Sequence, residues 1–194
     1  MSSTNRSNHR NSHRDDYYQT PSWCIEEFMK SFLDTICIGN LSEFSILDPC
    51  AGGDDDHVAA YPNALVKFGA EAIDTMDIRA ESRANIIGDF LSDDLDLDKK
   101  YDMVISNPPF NLAKDFVDRG LEVVEKGGFV IYLLRVSFLG SQKRKPWWKE
   151  NMPSYIFVHS KRPSFTNGGI DSAEYAHFVW EKGERPEFAK IKHA

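Results

Sequence analysis

Directly behind the apolar run Tyr101-Asp102-Met103-Val104-Ile105-Ser106 stand Asn107-Pro108-Pro109-Phe110, and this junction forces a strand to end in a rigid turn. Two successive prolines fix φ and lack a backbone N–H, so neither can carry a sheet onward, and Pro108 keeps Asn107 extended. The turn is left rich in carbonyl oxygens with no competing donors. A plain Pro-Pro turn that merely closes a strand makes the same demands, so the four residues alone leave both readings open.

The rest of the chain says what sheet such a strand would join. Strand patterns at 45–48, 72–77, 102–106 and 129–134 alternate with helical patterns around 58–68 and 112–126. A further helix opens at Pro21-Ser22, with Trp23, Ile25, Phe28, Met29 and Phe32-Leu33 on one face. Alternation of this kind predicts a mostly parallel sheet with helices on both faces, whose ligands bind beyond the carboxyl ends of the strands. Asp48, Asp77 and Asn107 all fall on that edge. The last two strand patterns, near 154–159 and 174–181, have no helix between them and predict an antiparallel pair completing the sheet. No internal repeat is present.

Chemistry on that edge follows from residue types. Asp48 is followed by Pro49-Cys50-Ala51-Gly52-Gly53, where small residues and paired glycines let a ligand approach the backbone. Asp77 ends the next strand and is placed to hold both hydroxyls of a ribose. Asp89-Phe90, behind Gly88, suits an adenine amino group and its ring. The Asn107 side-chain oxygen and the Pro108 carbonyl can each take one hydrogen of an exocyclic amine, with Phe110 as a stacking face. Such an amine is a poor nucleophile because its lone pair is delocalised. Two acceptors holding its hydrogens out of the ring plane localise that pair as charge develops, so no strong base is required.

In these segments the chain resembles the S-adenosylmethionine-dependent N6-adenine DNA methyltransferases, particularly the small phage and prophage type. The residues from Asp48 to Gly53 look like that family's glycine motif, Asp77 its ribose-binding acid, Asp89-Phe90 its adenine pair, and Asn107-Pro108-Pro109-Phe110 its catalytic motif. Tyr18-Gln19-Thr20-Pro21 is similar to the segment that packs over the methionine end of the cofactor. Arg162-Pro163-Ser164-Phe165 and Tyr175-Ala176-His177-Phe178-Val179-Trp180 look like its closing segments. The resemblance runs from about Tyr17 to Lys182 and implies a Rossmann-like methyltransferase fold. It also implies S-adenosyl-L-methionine as cofactor, held by Thr20, Pro21, Asp48, Cys50, Ala51, Gly52, Asp77, Asp89 and Phe90. Asn107, Pro108, Pro109 and Phe110 are then the catalytic residues. Methyltransferases of ribosomal RNA bases and of protein glutamine share the catalytic motif, and they remain rivals, as does a cofactor-fold protein that binds without catalysis. Asp54-Asp55-Asp56-His57 departs from the family pattern. These acids read as a solvated helix start, since aspartates stabilise a first helical turn.

Charge opposes a nucleic-acid substrate until its distribution is considered. The chain of 194 residues carries a net charge of −7. Between Arg135 and Arg162, however, seven basic residues face the single acid Glu150, and Trp147 and Trp148 lie among them. Lys143, Arg144, Lys145, Trp147 and Arg162 are the candidate nucleic-acid contacts, with DNA as the expected partner and RNA as the alternative. A solvated lysine cluster on a surface loop is the other reading of the same span. Only the loops at 135–153 and 160–173 are available for target recognition, which predicts relaxed or short-site specificity, or recognition assisted by oligomerisation.

Met1–Asp16 is polar and is expected to be a disordered leader before a single domain spanning 17–194, with no separate target-recognition domain. No apolar stretch reaches membrane-spanning length. Cys24, Cys37 and Cys50 show neither disulfide nor metal spacing, and the six histidines show no ligand pairing. Reduced thiols, a cytoplasmic location and no metal are expected.

Overall fold

The computed structural model describes residues 19–55, 57–165 and 172–194. The expected leader, Tyr18, Asp56 and part of the 160–173 loop lie outside the described residues. Helix α1 (Ser22–Ile36) precedes β1 (Ser45–Asp48), α2 (Ala60–Leu65), β2 (Ala72–Asp77), β3 (Ile86–Ile87) and β4 (Tyr101–Ser106). Helix α3 (Ala113–Val123) then leads into β5 (Val124–Arg135), the short α4 (Lys145–Trp148), β6 (Tyr155–Val158), β7 (Tyr175–Glu181) and β8 (Lys190–His193). All eight strands form one sheet in the order β3-β2-β1-β4-β5-β7-β6-β8. The strands from β3 to β5 are parallel, and β7 runs antiparallel to both β5 and β6.

Strand β5 shows why this is a sandwich of layers. Val130, Tyr132 and Leu134 pack with Phe116, Val117 and Phe138 on the α3 side, while Phe129 and Ile131 pack with Phe28, Phe32 and Tyr61 on the side of α1 and α2. A strand covered on both faces loses the polar alternation of a half-exposed strand, as the run Phe129–Leu134 does. Helix α1 buries Cys24, Ile25, Phe28, Met29, Phe32 and Leu33, the spacing of a single apolar stripe.

The expected and observed elements differ in three places. Helix α3 stops at Val123, and β5 begins at Val124, five residues before the expected strand. The pairing jumps from Tyr101↔Val124 to Met103↔Phe129, so the extra residues bulge out through Gly127, at φ 81°, and Gly128. That Gly-Gly pair hides the strand start from a periodicity argument. Strand β8 has all four residues exposed, and β3 has only two residues, so neither offers a burial pattern to read. Third, Asp54 and Asp55 do not start a helix. Helix α2 begins at Ala60, and Asp54 instead accepts from the backbone and ring of His57 while Asp55 pairs with Arg83.

Contact between α3 and β5 depends on Gly120. A Cβ there would stand 2.9 Å from both the Tyr132 hydroxyl and Val130 Cγ1. Tyr132 is itself fixed, donating to the Phe116 carbonyl at 3.1 Å. Gly120→Ala is therefore expected to destabilise the fold by about 1–3 kcal/mol despite alanine's better helix propensity. Chemical denaturation against the parent chain measures it, and a neutral or stabilising result contradicts the close packing.

Candidate active site

The carboxyl ends of β1, β2 and β4 meet at one edge of the sheet. Asp48, at the end of β1, is fully buried. Its Oδ1 accepts from Ser106 Oγ at 2.6 Å and from the Cys50 amide at 3.2 Å. Its Oδ2 is buried with no hydrogen-bond partner. Burial pushes the Asp48 carboxyl up to about 7, against the pull of the Ser106 and Cys50 hydrogen bonds, and the nearby Asp77 raises it further.

Past Asp48 the chain turns through Gly52 and Gly53 at φ 63° and 78°, a backbone that L side chains rarely adopt. Asp77, 6% exposed at the end of β2, holds this turn in place. Its Oδ2 accepts the Gly52 amide at 2.8 Å, and its Oδ1 accepts the backbone amide and Nε of Arg79 at 2.8 and 3.1 Å. An open depression of about 380 Å³ runs beside the turn, lined in part by Ala51, Gly52, Gly53, Asp54 and Asp55. The two acids thus face the depression from a loop.

Asn107 follows β4, half-buried, with Pro108 buried and Pro109 exposed. Its Nδ2 donates to Thr20 Oγ1 at 3.2 Å, while its Oδ1 is buried with no partner. Pro21 sets the start of α1 and so brings Thr20 across to the turn. Thr20 is also a hydrogen-bond neighbour of the Tyr61 phenol. Because Thr20 takes the amide nitrogen, the amide oxygen is the atom left to receive a donor. Phe110 is half-buried, its ring centroid 5.6 Å from that of Tyr175, with the Arg135 guanidinium 5.2 Å above its ring. These groups border a second depression of about 240 Å³, lined by Phe110, Asn111, Leu134, Arg135, Phe138 and Arg144. Thr20, Asp48, Asp77, Asn107 and Phe110 are therefore neighbours on one edge, with one depression at the glycine turn and another at the Pro-Pro turn.

The Asp89-Phe90 pair is arranged differently from its sequence reading. Asp89 Oδ1 accepts the Leu91 amide at 3.0 Å, closing a local turn. The Phe90 ring is 2% exposed and packs on Phe116 at 5.4 Å, so its faces belong to the core and do not present a stacking surface.

No protein-family model matches the chain, and no curated protein matches its sequence. Solved structures do share its architecture. A candidate class I S-adenosylmethionine-dependent methyltransferase from Listeria monocytogenes superposes over 90% of this chain with a TM-score of 0.60 at 16% identity. A candidate RNA methyltransferase from Pyrococcus horikoshii superposes over 87%, with a TM-score of 0.64 at 12% identity. The M protein of the type I restriction enzyme EcoKI superposes over 74%, with a TM-score of 0.55 at 14% identity. The chain has the fold of class I S-adenosylmethionine-dependent methyltransferases. It spans 65% of the Listeria chain, 89% of the Pyrococcus chain and 40% of the EcoKI M protein.

In this fold the basic segment leaves the carboxyl end of β5 and reaches the second depression, but its aromatic residues serve the loop. Trp147 Nε1 donates to Asp118 Oδ1 at 2.7 Å, and both Trp147 and Trp148 pack edge-on against Phe138. Arg144 donates to the Phe138 carbonyl through Nε and a terminal nitrogen. Arg162 pairs with Glu174. Trp147 and Arg144, read from sequence as contacts for nucleic acid, are thus engaged in pinning the loop to α3 and to Phe138. Lys143 and Lys145 are exposed and form no ion pair among the described residues.

Sequence spacing also missed a polar cluster beneath the site. Cys24 Sγ lies 3.3 Å from His159 Nε2, which lies 2.8 Å from His177 Nδ1, and Tyr61 Oη lies 3.0 Å from His177 Nε2. Burial pushes the His159 imidazole down to about 4 and holds His177 well below its ordinary range. Intervals of 135 and 18 residues follow no local motif, so only the fold reveals the pairing. Among the described residues, no helix is long and apolar enough to cross a membrane.

Proposed function

We propose that the chain is an S-adenosyl-L-methionine-dependent methyltransferase acting on the N6 amino group of adenine in DNA, within one domain spanning 17–194. The observation that carries this reading is the pair of unmet acceptors, Asp48 Oδ2 and Asn107 Oδ1, on adjacent strand ends. A buried oxygen without a partner costs free energy, and a ligand bringing positive charge to one and an N–H to the other removes that cost. S-adenosylmethionine supplies a cationic methionine end, and a flipped adenine supplies a planar NH2.

In the proposed arrangement Asp48, Gly52 and Thr20 would hold the methionine end, with Cys50 and Ala51 on the glycine turn beside it and Pro21 closing over it. Asp77, whose Oδ2 keeps one lone pair beyond the Gly52 amide, would hold the ribose, and Asp89 would face the adenosyl end. The target base stacks on Phe110 in the second depression. Asn107 Oδ1 and the Pro108 carbonyl each accept one N6 hydrogen, which aligns the nitrogen with the sulfonium methyl group. Bound S-adenosylmethionine would supply the methyl group to N6, its sulfur keeping the electron pair of the broken bond, and the extra N6 proton would leave to solvent. Extrusion of the base costs unpairing energy, which phosphate contacts from the loop after β5 offset.

Likeness to the EcoKI M protein favours DNA, and likeness to the Pyrococcus protein is the specific ground for an RNA base as the second reading. Tritiated-methyl transfer from S-adenosylmethionine to DNA, RNA and protein acceptors decides among them. Label must appear in DNA as N6-methyladenine, and label confined to RNA or protein overturns the proposal. The two exposed lysines provide a separate expected result. Lys143→Ala with Lys145→Ala should weaken DNA binding uniformly across sequences and lower the slope of log K against log salt by about 1–2. An unchanged slope removes the loop from the interface.

A further inference from the structure

Beneath the proposed active site, three potential ligands from separate elements converge without a local motif. Cys24 comes from the first turn of α1, His159 from just beyond β6, and His177 from β7. One donor atom from each lies within 4.8 Å of the other two, and all three side chains are buried. We propose that Cys24, His159 and His177 form a binding site for a divalent cation of the zinc class, with a fourth position for a water molecule or a small ligand.

The donor set selects the ion. One thiolate and two imidazoles suit zinc or cobalt and disfavour magnesium and calcium, which prefer oxygen. Metal–nitrogen bonds of about 2.0–2.1 Å and a metal–sulfur bond of about 2.3 Å put tetrahedral donors roughly 3.3–3.6 Å apart. The Cys24–His159 separation of 3.3 Å is within about 0.3 Å of that spacing, the His159–His177 separation of 2.8 Å needs to widen by about half an ångström, and the Cys24–His177 pair, within 4.8 Å, closes towards about 3.5 Å as the ion binds.

Hydrogen bonding alone serves the trio poorly. His159 Nε2 has one in-plane proton or one lone pair, yet both Cys24 Sγ and His177 Nδ1 are its neighbours. One good hydrogen bond therefore leaves the other contact weak in either tautomer. A cation at their centre uses a lone pair from each donor at once, and Cys24 releases its thiol proton to solvent as the sulfur–metal bond forms.

Of the two imidazoles, His177 is held from outside by a hydrogen bond, whereas His159 Nδ1 is buried without a partner and its ring is held by packing. Tyr61 Oη, 3.0 Å from His177 Nε2, fixes the ring's outer nitrogen and leaves Nδ1 facing the trio. Phe28 stacks on His177 with centroids 4.0 Å apart, and Trp23 meets His159 edge-on at 6.2 Å. These aromatic contacts fix the ring planes and exclude bulk water.

The test uses untagged full-length chain produced in zinc-supplemented medium, then a cobalt form made by refolding with Co2+. Elemental analysis is expected to find close to one zinc per chain. The cobalt form is expected to show thiolate-to-metal charge-transfer absorption that Cys24→Ser abolishes and that the exposed control Cys37→Ser leaves intact. Tyr61→Phe should weaken zinc affinity by about 10–100-fold. Less than about a tenth of an equivalent of zinc in the parent chain, or a cobalt band that survives Cys24→Ser, overturns the proposal. Should Cys24→Ser fail to fold, His159→Gln replaces it, and the parent stoichiometry and spectrum still decide.

Discussion

Asn107→Ala is expected to reduce methyl transfer by roughly 10²–10³-fold or more while changing the affinity for S-adenosylmethionine by no more than about threefold. The asymmetry follows from where the side chain sits. Asn107 is anchored on one side by Thr20, and its other amide atom, Oδ1, is buried and unpartnered. On the proposed reading that oxygen meets the amine only once the target base is in place. Its contribution grows as the N6 hydrogens acquire positive charge, so it is made chiefly in the transition state. No contact to the cofactor is removed, since the carboxylates that would hold it, Asp48 and Asp77, belong to neighbouring strands. Isothermal calorimetry gives the affinity and a single-turnover methylation assay gives the rate. Near-parental turnover would show that the amine pocket is misassigned. A parallel loss of cofactor affinity would instead mean that the alanine had disturbed the turn as a whole.

The parts of this site that were legible in sequence are those whose backbone cannot be otherwise. Gly52 and Gly53 occupy positive φ, and Pro108 and Pro109 end a strand, so their residue types announce their geometry. Asp48 and Asp77 end parallel strands, which is a matter of counting along apolar runs. What escaped was set by tertiary partners. Phe90 looks like a stacking face from its neighbour Asp89, yet Phe116 covers it. Trp147 looks like a base platform among lysines, yet Asp118 lies across from it and takes its indole proton. The helix expected to begin at the acids after Gly53 starts only at Ala60, and before it Asp54 accepts from His57 and Asp55 pairs with Arg83 within a loop. Cys24, His159 and His177 meet only because α1 crosses the face of β6 and β7. Backbone constraint is written locally in sequence, whereas side-chain partnership across the sheet is not.

Asp48 leads to the other large effect, because burial has raised its carboxyl to about 7. In the unfolded chain the group titrates near 3.8, so between about pH 4 and 7 the folded chain holds a proton that the unfolded chain has lost. Stability of the ligand-free protein therefore contains a contribution that is full below about pH 4, declines as pH rises through 7, and is flat beyond. At about 1.4 kcal/mol per unit, the change amounts to a few kcal/mol. Cofactor affinity should run the opposite way. The ionised carboxylate attracts the cationic methionine end, so affinity is expected to climb as pH rises from about 5.5 to 7.5, by up to tenfold per unit at the acid end. Asp48→Asn keeps an acceptor oxygen for Ser106 and Cys50 but cannot ionise. It should flatten the stability curve between pH 4 and 7 and bind cofactor about 10–100-fold more weakly than the parent at pH 7.5, the two converging near pH 5.5. The variant also corrects for titration of the cofactor itself. Calorimetry across this range, paired with denaturation of the ligand-free proteins, reads both quantities. Parallel pH profiles for parent and variant would mean that the buried carboxyl does not face the cofactor's charge.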